Sequence, residues 1–320
     1  MSQNSVEFIG GNRHADRWLL TTAIGGDYFA NWTRTVKPYW DDYAARYGFG
    51  VAVITEDLFF SGEPQLNGAW QKMLAPRALR ETLGRDVRCA LLDTDLLISP
   101  GAEDVFGAVA PGSIGVVSQE YGLPFEIVRM RNRIAFLRQR FVDPNFPLSS
   151  ILNASPRQVF EWAGLQPTDD YFCTGMLVVD TATHAELLAD WYRSAPLNDS
   201  YHQIGAWEEV WLNHCVQNRD DVTWLDYAWH ALWIYEVAAH YPFLYADECA
   251  PEIAQWCLGA SLLRNNFVHL AGGWESGLLG VGAPAFPRIE DYQQFGRLVR
   301  DHEDAIRPAV MRGKLNPPAF

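Results

Sequence analysis

Short apolar runs alternate with longer segments of helical periodicity, and this alternation limits the fold of the 320-residue chain more than any other feature. Strand-like runs occupy residues 17–23, 51–55, 88–92, 114–117, 171–180 and 267–270. The segments 28–47 and 70–83 repeat apolar residues at about helical spacing, and Pro38 interrupts the first of them. Strands and helices in alternation predict a layered α/β fold with a mainly parallel central sheet flanked by helices.

The boundaries follow from where the alternation begins and ends. Residues 1–16 are polar and include two adjacent glycines, so we expect a flexible N-terminus. A single domain is predicted over 17–285, with a helical insertion at about 119–170, where basic residues interrupt the pattern. Residues 286–320 are predicted to form a C-terminal helix and a Pro-rich tail.

The charge and the cysteines exclude several classes of protein. The formal net charge of -14 argues against nucleic acid as the main partner, because phosphate binding requires clustered Lys and Arg. No apolar stretch approaches the roughly 18 residues of a membrane span, and the N-terminus has no signal-peptide pattern. Five scattered cysteines without a C-x-x-C pair argue against a structural zinc. We therefore expect a cytoplasmic protein with reduced thiols, and its aromatic-rich C-terminal part is compatible with a homodimer.

The strongest candidate site is Asp93-Thr94-Asp95, which follows the buried run 89–92 and precedes a second apolar run. In open α/β sheets, ligands gather outside the carboxyl ends of the strands. Two carboxylates at such a point are costly without a counter-charge, and Mg²⁺ or Mn²⁺ removes that cost while binding phosphates. Two alternatives remain open: a solvated strand end, and a phosphohydrolase motif with Asp93 as the nucleophile.

Four further positions are candidates on residue chemistry alone. His269 lies in a late apolar run and suits a transition metal such as Mn²⁺, although a core histidine is an equally good interpretation. Lys72 can neutralise phosphate charge, or it can simply be solvated. Glu208 and Glu209 begin a predicted helix, where neighbouring residues do not share a face, so only one of them can point into a site.

Taken in order, these residues resemble a GT-A-fold, metal-dependent glycosyltransferase with a D-x-D motif, most similar to the glycogenin-like superfamily of retaining galactosyl- and glucosyltransferases. The resemblance covers roughly residues 17–275 and implies a Rossmann-type layered catalytic domain. It is carried by the first strand with Thr21-Thr22-Ala23, by Lys72, by Leu92-Asp93-Thr94-Asp95, by the Phe172–Met176 segment, by Glu208-Glu209 with Leu212-Asn213, and by His269.

The resemblance implies a role for each matching position. Asp93, Asp95 and His269 are expected to hold the metal. Of the two expected catalytic carboxylates, Glu209 is expected to lie below the anomeric carbon of the donor sugar, and Glu208 is expected to contact that sugar. The residues expected to contact the donor are Thr21, Thr22, Ala23, Lys72, Asp93, Thr94, Thr174, Gly175 and Gly272.

Two departures from the family pattern concern the diphosphate and the sugar. The family strand usually carries Asn where Cys173 or Thr174 stands, and the Lys of the usual His-x-x-Gly-x-x-Lys-Pro-Trp segment is absent after His269. The Arg-rich segment 129–140 or Lys314 is the hypothetical replacement for that Lys.

The function implied is transfer of a sugar from a nucleoside diphosphate sugar, expected to be a UDP-sugar, to a glycan or other hydroxyl compound. The reaction is expected to require Mn²⁺ or Mg²⁺ and to retain the anomeric configuration. The alternatives are a metal-dependent phosphohydrolase that uses Asp93 and a non-catalytic protein that binds nucleotide sugars or carbohydrate.

Overall fold

The computed structural model of the protein describes residues 6–25, 27–61, 64, 66–145, 153–196, 208–245, 251–280 and 286–302. Its strands are β1 (Val6–Gly11), β2 (Arg17–Thr22), β3 (Gly50–Ile54), β4 (Arg88–Leu92), β5 (Leu96–Ile98), β6 (Ile114–Val117), β7 (Met176–Asp180), β8 (Val222–Leu225), β9 (Ala231–Leu232) and β10 (Phe267–His269).

The helices are α1 (Tyr28–Thr35), α2 (Lys37–Tyr47), α3 (Gly68–Gln71), α4 (Ala75–Leu83), α5 (Val105–Ala108), α6 (Ile127–Phe141), α7 (Pro156–Trp162), α8 (Thr181–Arg193), α9 (Glu209–Gln217), α10 (Trp233–His240), α11 (Pro251–Leu262), α12 (Gly273–Gly277) and α13 (Tyr292–Asp301). Within the described ranges, no helix combines the length and the apolar content needed to cross a bilayer.

Seven strands form the central sheet, in the order β1-β3-β2-β4-β7-β6-β8. The pairings set five strands in one direction, while β1 and β7 run antiparallel to their neighbours. Helices cover both faces, so the predicted α/β fold with a mainly parallel sheet is confirmed. A second sheet, β5-β10-β9, places β10 between antiparallel β5 and parallel β9.

The central sheet separates two apolar cores because successive side chains of a strand point to opposite faces. Leu19 of β2 packs on one side with Trp40 of α2 and Trp233 of α10. Its neighbour Leu20 packs on the other side with residues of α4, α8 and α9, among them Leu79. The strands between the two cores are thereby held in one register, and the ends of β2 and β4 are fixed in place.

The N-terminal segment is a correction to the sequence-based prediction of a flexible 1–16. Residues 6–11 form the edge strand β1, which pairs antiparallel with β3, and Val6 is buried against the second core. Its two glycines indicated a loop, but Gly11 has a φ of 67°, and an added Cβ would lie 2.1 Å from the carbonyl oxygen of Phe49, so a side chain has no room there. The backbone hydrogen bonds of β3, which no local pattern reveals, order this segment.

One further segment differs from the sequence-based interpretation. The helix predicted over 70–83 is divided into α3 and α4, because Pro76 stands in the first turn of α4 and favours a new helix start. Lys72 lies in the turn between them. The apolar run after the Asp motif forms β5, which pairs with β10 in the second sheet.

Gly50 offers a test of the close packing between β2 and β3. It lies opposite Trp18, and an added Cβ would come within 2.3 Å of the indole atom Cε3. We expect Gly50→Ala to lower the free energy of unfolding by about 1–3 kcal/mol, as overpacking of a rigid core does. Urea denaturation measures the change, with Gly107→Ala as the control because its added Cβ meets nothing nearer than 3.8 Å. Equal stability of the two variants would contradict the packing described.

Candidate active site

The Asp93-Thr94-Asp95 motif joins the two sheets. β4 ends directly before it and β5 begins directly after it. The Asp93 backbone N–H donates to the carbonyl of Gly175 at 2.9 Å, and the Leu270 N–H donates to the carbonyl of Asp95 at 3.0 Å. The backbone of the motif is therefore held by one strand from each sheet, and both carboxylates are left at the carboxyl end of β4.

His269 reaches the motif because β10 pairs with β5, where His269 lies opposite Leu96. Its Nε2 lies 3.0 Å from Oδ1 of Asp95 and 4.0 Å from Oδ2 of Asp93. The donor atoms of the three side chains lie within 4.8 Å of one another, close enough to share one cation. Two carboxylate oxygens and one imidazole nitrogen form a donor set that suits Mn²⁺ better than Mg²⁺.

Lys72 connects the Asp motif to the start of α9. Its ammonium donates to Oδ1 of Asp93 at 2.8 Å and lies 3.0 Å from Oε1 of Glu208. Burial alone would lower the pKa of Lys72, but the charges of Asp93 and Glu208 raise it above its ordinary value. Lys72 is therefore a permanent cation held between two acids, and it leaves Oδ2 of Asp93 on the His269 side.

Glu208 and Glu209 point in different directions, as expected for neighbours at a helix start. Glu208 is buried, accepts a hydrogen bond from the Thr174 hydroxyl at 2.9 Å and lines the cavity described below. Glu209 instead approaches the backbone N–H of Thr174 at 3.4 Å and does not line that cavity. Burial first, and then the charge of Glu208, raise the pKa of Glu209 to about 7.

Gly175 makes room for two neighbouring imidazoles. A Cβ at this position would lie 2.5 Å from Cε1 of His269 and 3.1 Å from Nε2 of His230. The rings of His230 and His269 lie nearly parallel, with centroids 5.0 Å apart and an interplanar angle of 14°, and Cys173 Sγ lies 3.6 Å from Nδ1 of His269. Sequence reasoning did not identify His230, because a single histidine after a Trp-rich stretch carries no local signal.

The protonation of the motif follows from its ion pair. Burial would lower the pKa of His269, but Asp95 raises it well above its ordinary value when no cation is bound. Burial alone would raise the pKa of Asp95, but the charge of His269 lowers that pKa below its ordinary value. Burial and the nearby His269 charge lower the pKa of His230, which stays neutral.

A cavity of about 800 Å³ opens beside these residues. This volume lies within the range of small-molecule sites. One part of its wall carries Lys72, Asp93, Thr94, Asp95, Glu208, His269 and Leu270, and the other carries Thr22, Ile24, Tyr28, Asn31, Trp32, Thr35, Val36, Asn67, Gly68 and Ala69. The structure thus brings seven of the sequence-predicted residues to one cavity, with Thr22 at the end of β2.

Five other residues predicted to contact the donor do not line the cavity. Thr21 and Ala23 are buried in β2 and just after it, and Thr174 and Gly175 support Glu208 and His269 from behind. Gly272 has a φ of 99°, and an added Cβ would lie 3.0 Å from Ile234, which is a packing reason for glycine there. The donor contacts predicted for these five residues stay predictions.

The α1 residues on the cavity wall were missed by sequence reasoning. Tyr28, Asn31 and Trp32 fall on successive turns of α1 and face the site together. The available signal was the helix that directly follows the first strand, because such a helix begins at the carboxyl edge of the sheet.

The proposed replacements for the family Lys lie elsewhere or outside the described ranges. Arg138 of α6 forms a buried ion pair with Glu275, with Nε and Oε1 2.8 Å apart, and Arg131 pairs with Glu120. Among the described arginines, none of those in 129–140 lines the cavity. Lys314 lies outside the described residues.

In comparisons of its sequence with known proteins, the chain matches no protein-family model and no curated protein.

Among solved structures, the chain is similar to a glycosyltransferase involved in the glycosylation of the major capsid of PBCV-1, with 11% identity and a TM-score of 0.42 over 82% of this chain and 98% of that one. It is similar to the bifunctional glycosyltransferase WbbM, with 11% identity and a TM-score of 0.41 over 79% of this chain and 45% of that one. Its similarity to mouse xyloside xylosyltransferase 1 has 12% identity and a TM-score of 0.37, over 80% and 98% of the two chains. Likenesses with TM-scores below 0.5 assign no activity.

The raised pKa of Glu209 predicts a pH dependence of stability. Between its ordinary value of 4.5 and about 7, the native state keeps a proton that the unfolded state has lost. The contribution of Glu209 is therefore complete below 4.5 and is lost as the pH rises towards 7, with a slope of at most about 1.4 kcal/mol per pH unit. We expect Glu209→Gln to flatten the fall of the unfolding free energy between pH 5 and pH 7, measured by urea denaturation.

The exposed Glu161 on α7 provides the matched control, because Glu161→Gln makes the same chemical change on the surface. A Glu209→Gln profile that superimposes on those of wild type and Glu161→Gln would show that Glu209 titrates normally.

Proposed function

We propose that the chain is a glycosyltransferase that takes a sugar from a nucleoside diphosphate sugar, with UDP-sugars as the favoured donors and Mn²⁺ or Mg²⁺ as the cation. The acceptor is proposed to be a glycan or another hydroxyl compound. The observation that carries the proposal is the convergence of Asp93, Asp95 and His269 with Lys72 and Glu208 on one wall of the cavity.

Charge explains why a cation fits this wall, and the cation explains why a diphosphate does. Asp93, Asp95 and Glu208 bring three carboxylates to one place, and Lys72 with a protonated His269 offsets only two of them. A divalent cation held by Asp93, Asp95 and His269 would replace the His269 proton, and its second positive charge would offset the third carboxylate. Its remaining coordination positions would be open to the oxygens of a diphosphate. When bound, such a cation supplies a Lewis acid that stabilises the diphosphate as it leaves. Lys72 keeps Asp93 oriented and stays charged throughout.

The far wall of the cavity suits a nucleoside. Tyr28 lines the cavity and is 60% exposed overall, and Thr22 and Asn31 add a hydroxyl and an amide. The buried Trp32 has no hydrogen-bond partner for Nε1 among the described residues. An aromatic ring, several polar donors and a nearby diphosphate site together match the parts of a nucleoside diphosphate.

Glu208 is the carboxylate best placed to act on the donor sugar. It lines the cavity, it is fixed by Lys72 and Thr174, and Glu209 turns away. A carboxylate beside an anomeric carbon stabilises the positive charge that develops when the bond to the diphosphate breaks. Retention of configuration is part of the proposal, and anomeric NMR of the product that shows inversion would reject that part.

The metal site predicts the behaviour of an Asp95 variant. Wild type incubated with a panel of nucleotide sugars and Mn²⁺ is expected to release the nucleoside diphosphate, with water as the slow acceptor: the bond from the anomeric carbon to the diphosphate breaks, and free sugar and a proton form. We expect Asp95→Asn to reduce the rate by about 100-fold or more. The loss of a metal ligand should lower the rate more than the loss of an outer hydrogen-bond partner, which typically costs about 10- to 100-fold. Chromatography of the released nucleotide measures the rate, and EDTA should abolish it.

The control is Asp169→Asn, because Asp169 pairs with Arg157 on the surface with 68% of its side chain exposed. An unaltered rate in Asp95→Asn would contradict the metal assignment. Phosphate release from simple phosphomonoesters would favour the phosphohydrolase alternative, and donor binding without any nucleotide release would favour a binding protein.

The two neighbouring glutamates give a second, independent test. We expect Glu208→Gln to lower kcat by about 100-fold, the usual effect of removing one group that stabilises transition-state charge, and Glu209→Gln to lower it far less. Both variants make the same chemical change one residue apart, so the comparison isolates the position. The reverse order of the two effects would assign the sugar-facing role to Glu209.

A further inference from the structure

A second histidine lies directly behind the proposed metal ligand. His230 precedes β9, which pairs in parallel with β10 so that Leu232 lies opposite His269. Its side chain is completely buried, and its ring meets that of His269 edge to edge, with an interplanar angle of 14°. The pairing of the two strands thereby brings the two imidazoles together although 39 residues separate them.

The contact between the rings joins the nitrogens that do not face the carboxylates. His230 Nε2 lies 3.0 Å from His269 Nδ1, while His269 Nε2 faces Asp95. The Cys173 sulfur lies 3.6 Å from the same Nδ1 and is the other neighbour. His230 Nδ1 has no hydrogen-bond partner among the described residues.

The chemistry of an imidazole ligand decides how this contact is protonated. A nitrogen that binds a cation must present a lone pair, so a neutral His269 that binds through Nε2 carries its one proton on Nδ1. That proton needs an acceptor in a buried site, and the lone pair on His230 Nε2 provides a shorter contact than the sulfur. The same acceptor serves when Nε2 is protonated and donates to Asp95, so His269 keeps one orientation with and without the cation.

We propose that His230 is a positioning residue for the metal site. It holds His269 with Nδ1 protonated and with Nε2 directed at Asp93 and Asp95. This inference rests on the proposed function only through its cation. Gly175 belongs to the same arrangement, because any larger residue would occupy the space of both rings. Outer partners of this kind fix the tautomer and orientation of a ligating histidine.

The test compares variants that keep or remove the acceptor. His230→Phe keeps a planar aromatic ring but has no hydrogen-bond acceptor, whereas His230→Gln places an amide oxygen near the position of Nε2. Mn²⁺ binding is measured by the EPR signal of the free ion, with and without UDP. We expect His230→Phe to weaken binding by about 10- to 100-fold and His230→Gln to stay close to wild type.

Two controls separate this inference from the proposed function. Cys173→Ala should leave the affinity near that of wild type, and Asp95→Asn should abolish binding. Unchanged affinity in His230→Phe, or a loss in Cys173→Ala alone, would overturn the role of His230 while leaving the metal site intact. Wild type that binds no Mn²⁺ even with UDP would overturn the metal site and this inference together.

Circular dichroism and thermal unfolding establish that each variant folds. If His230→Phe does not fold, the ¹⁵N shifts of His269 in wild type with saturating Mg²⁺ decide the question. A protonated Nδ1 hydrogen-bonded to His230 supports the proposal, and a proton on Nε2 in the metal-bound protein overturns it.

Discussion

The buried cation Lys72 is the constraint on which the candidate site depends. Two carboxylates, Asp93 and Glu208, come from distant parts of the chain and lie within 3.0 Å of its ammonium. Removing the cation would leave two carboxylates without this counter-charge, one of them buried, which costs several kcal/mol. The turn between α3 and α4, the end of β4 and the start of α9 are therefore held in one relative position. The wall of the cavity takes its shape from this network.

The hydrogen bonds between the two sheets add a second constraint. The Asp93 backbone bonds to Gly175 beside β7, and the Asp95 backbone bonds to Leu270 after β10. Because β10 lies between β5 and β9, the histidines on and before these strands are carried to the same place. The site thus forms where the sheets meet, and the acids gather there beside the imidazole of His269, which can share a cation with them.

Electrostatics connects this architecture to the proposed chemistry. Carboxylates concentrated on a cavity wall repel one another, and the ion pairs of Lys72 and His269 relieve only part of that repulsion. A divalent cation in place of the His269 proton would offset the remaining carboxylate, and its open coordination positions would bind phosphate oxygens. This is the physical reason for proposing a diphosphate donor, and it distinguishes the two proposed metal-binding acids from Glu208, whose charge is offset by Lys72.

Local patterns in the amino-acid sequence are enough to predict the α/β class, most of the strands and the placement of Asp93 and Asp95 at the end of a buried strand. These predictions follow from apolar periodicity and from acids that come directly after a buried strand, both of which are local properties. Three features emerge from the folded chain alone: Glu208 rather than Glu209 lines the cavity, residues 6–11 form an edge strand, and the ring of His230 lies against that of His269. Each of these depends on pairing or packing between segments far apart in the chain, and no local pattern encodes which strand a segment will meet or which way a helix will turn about its axis.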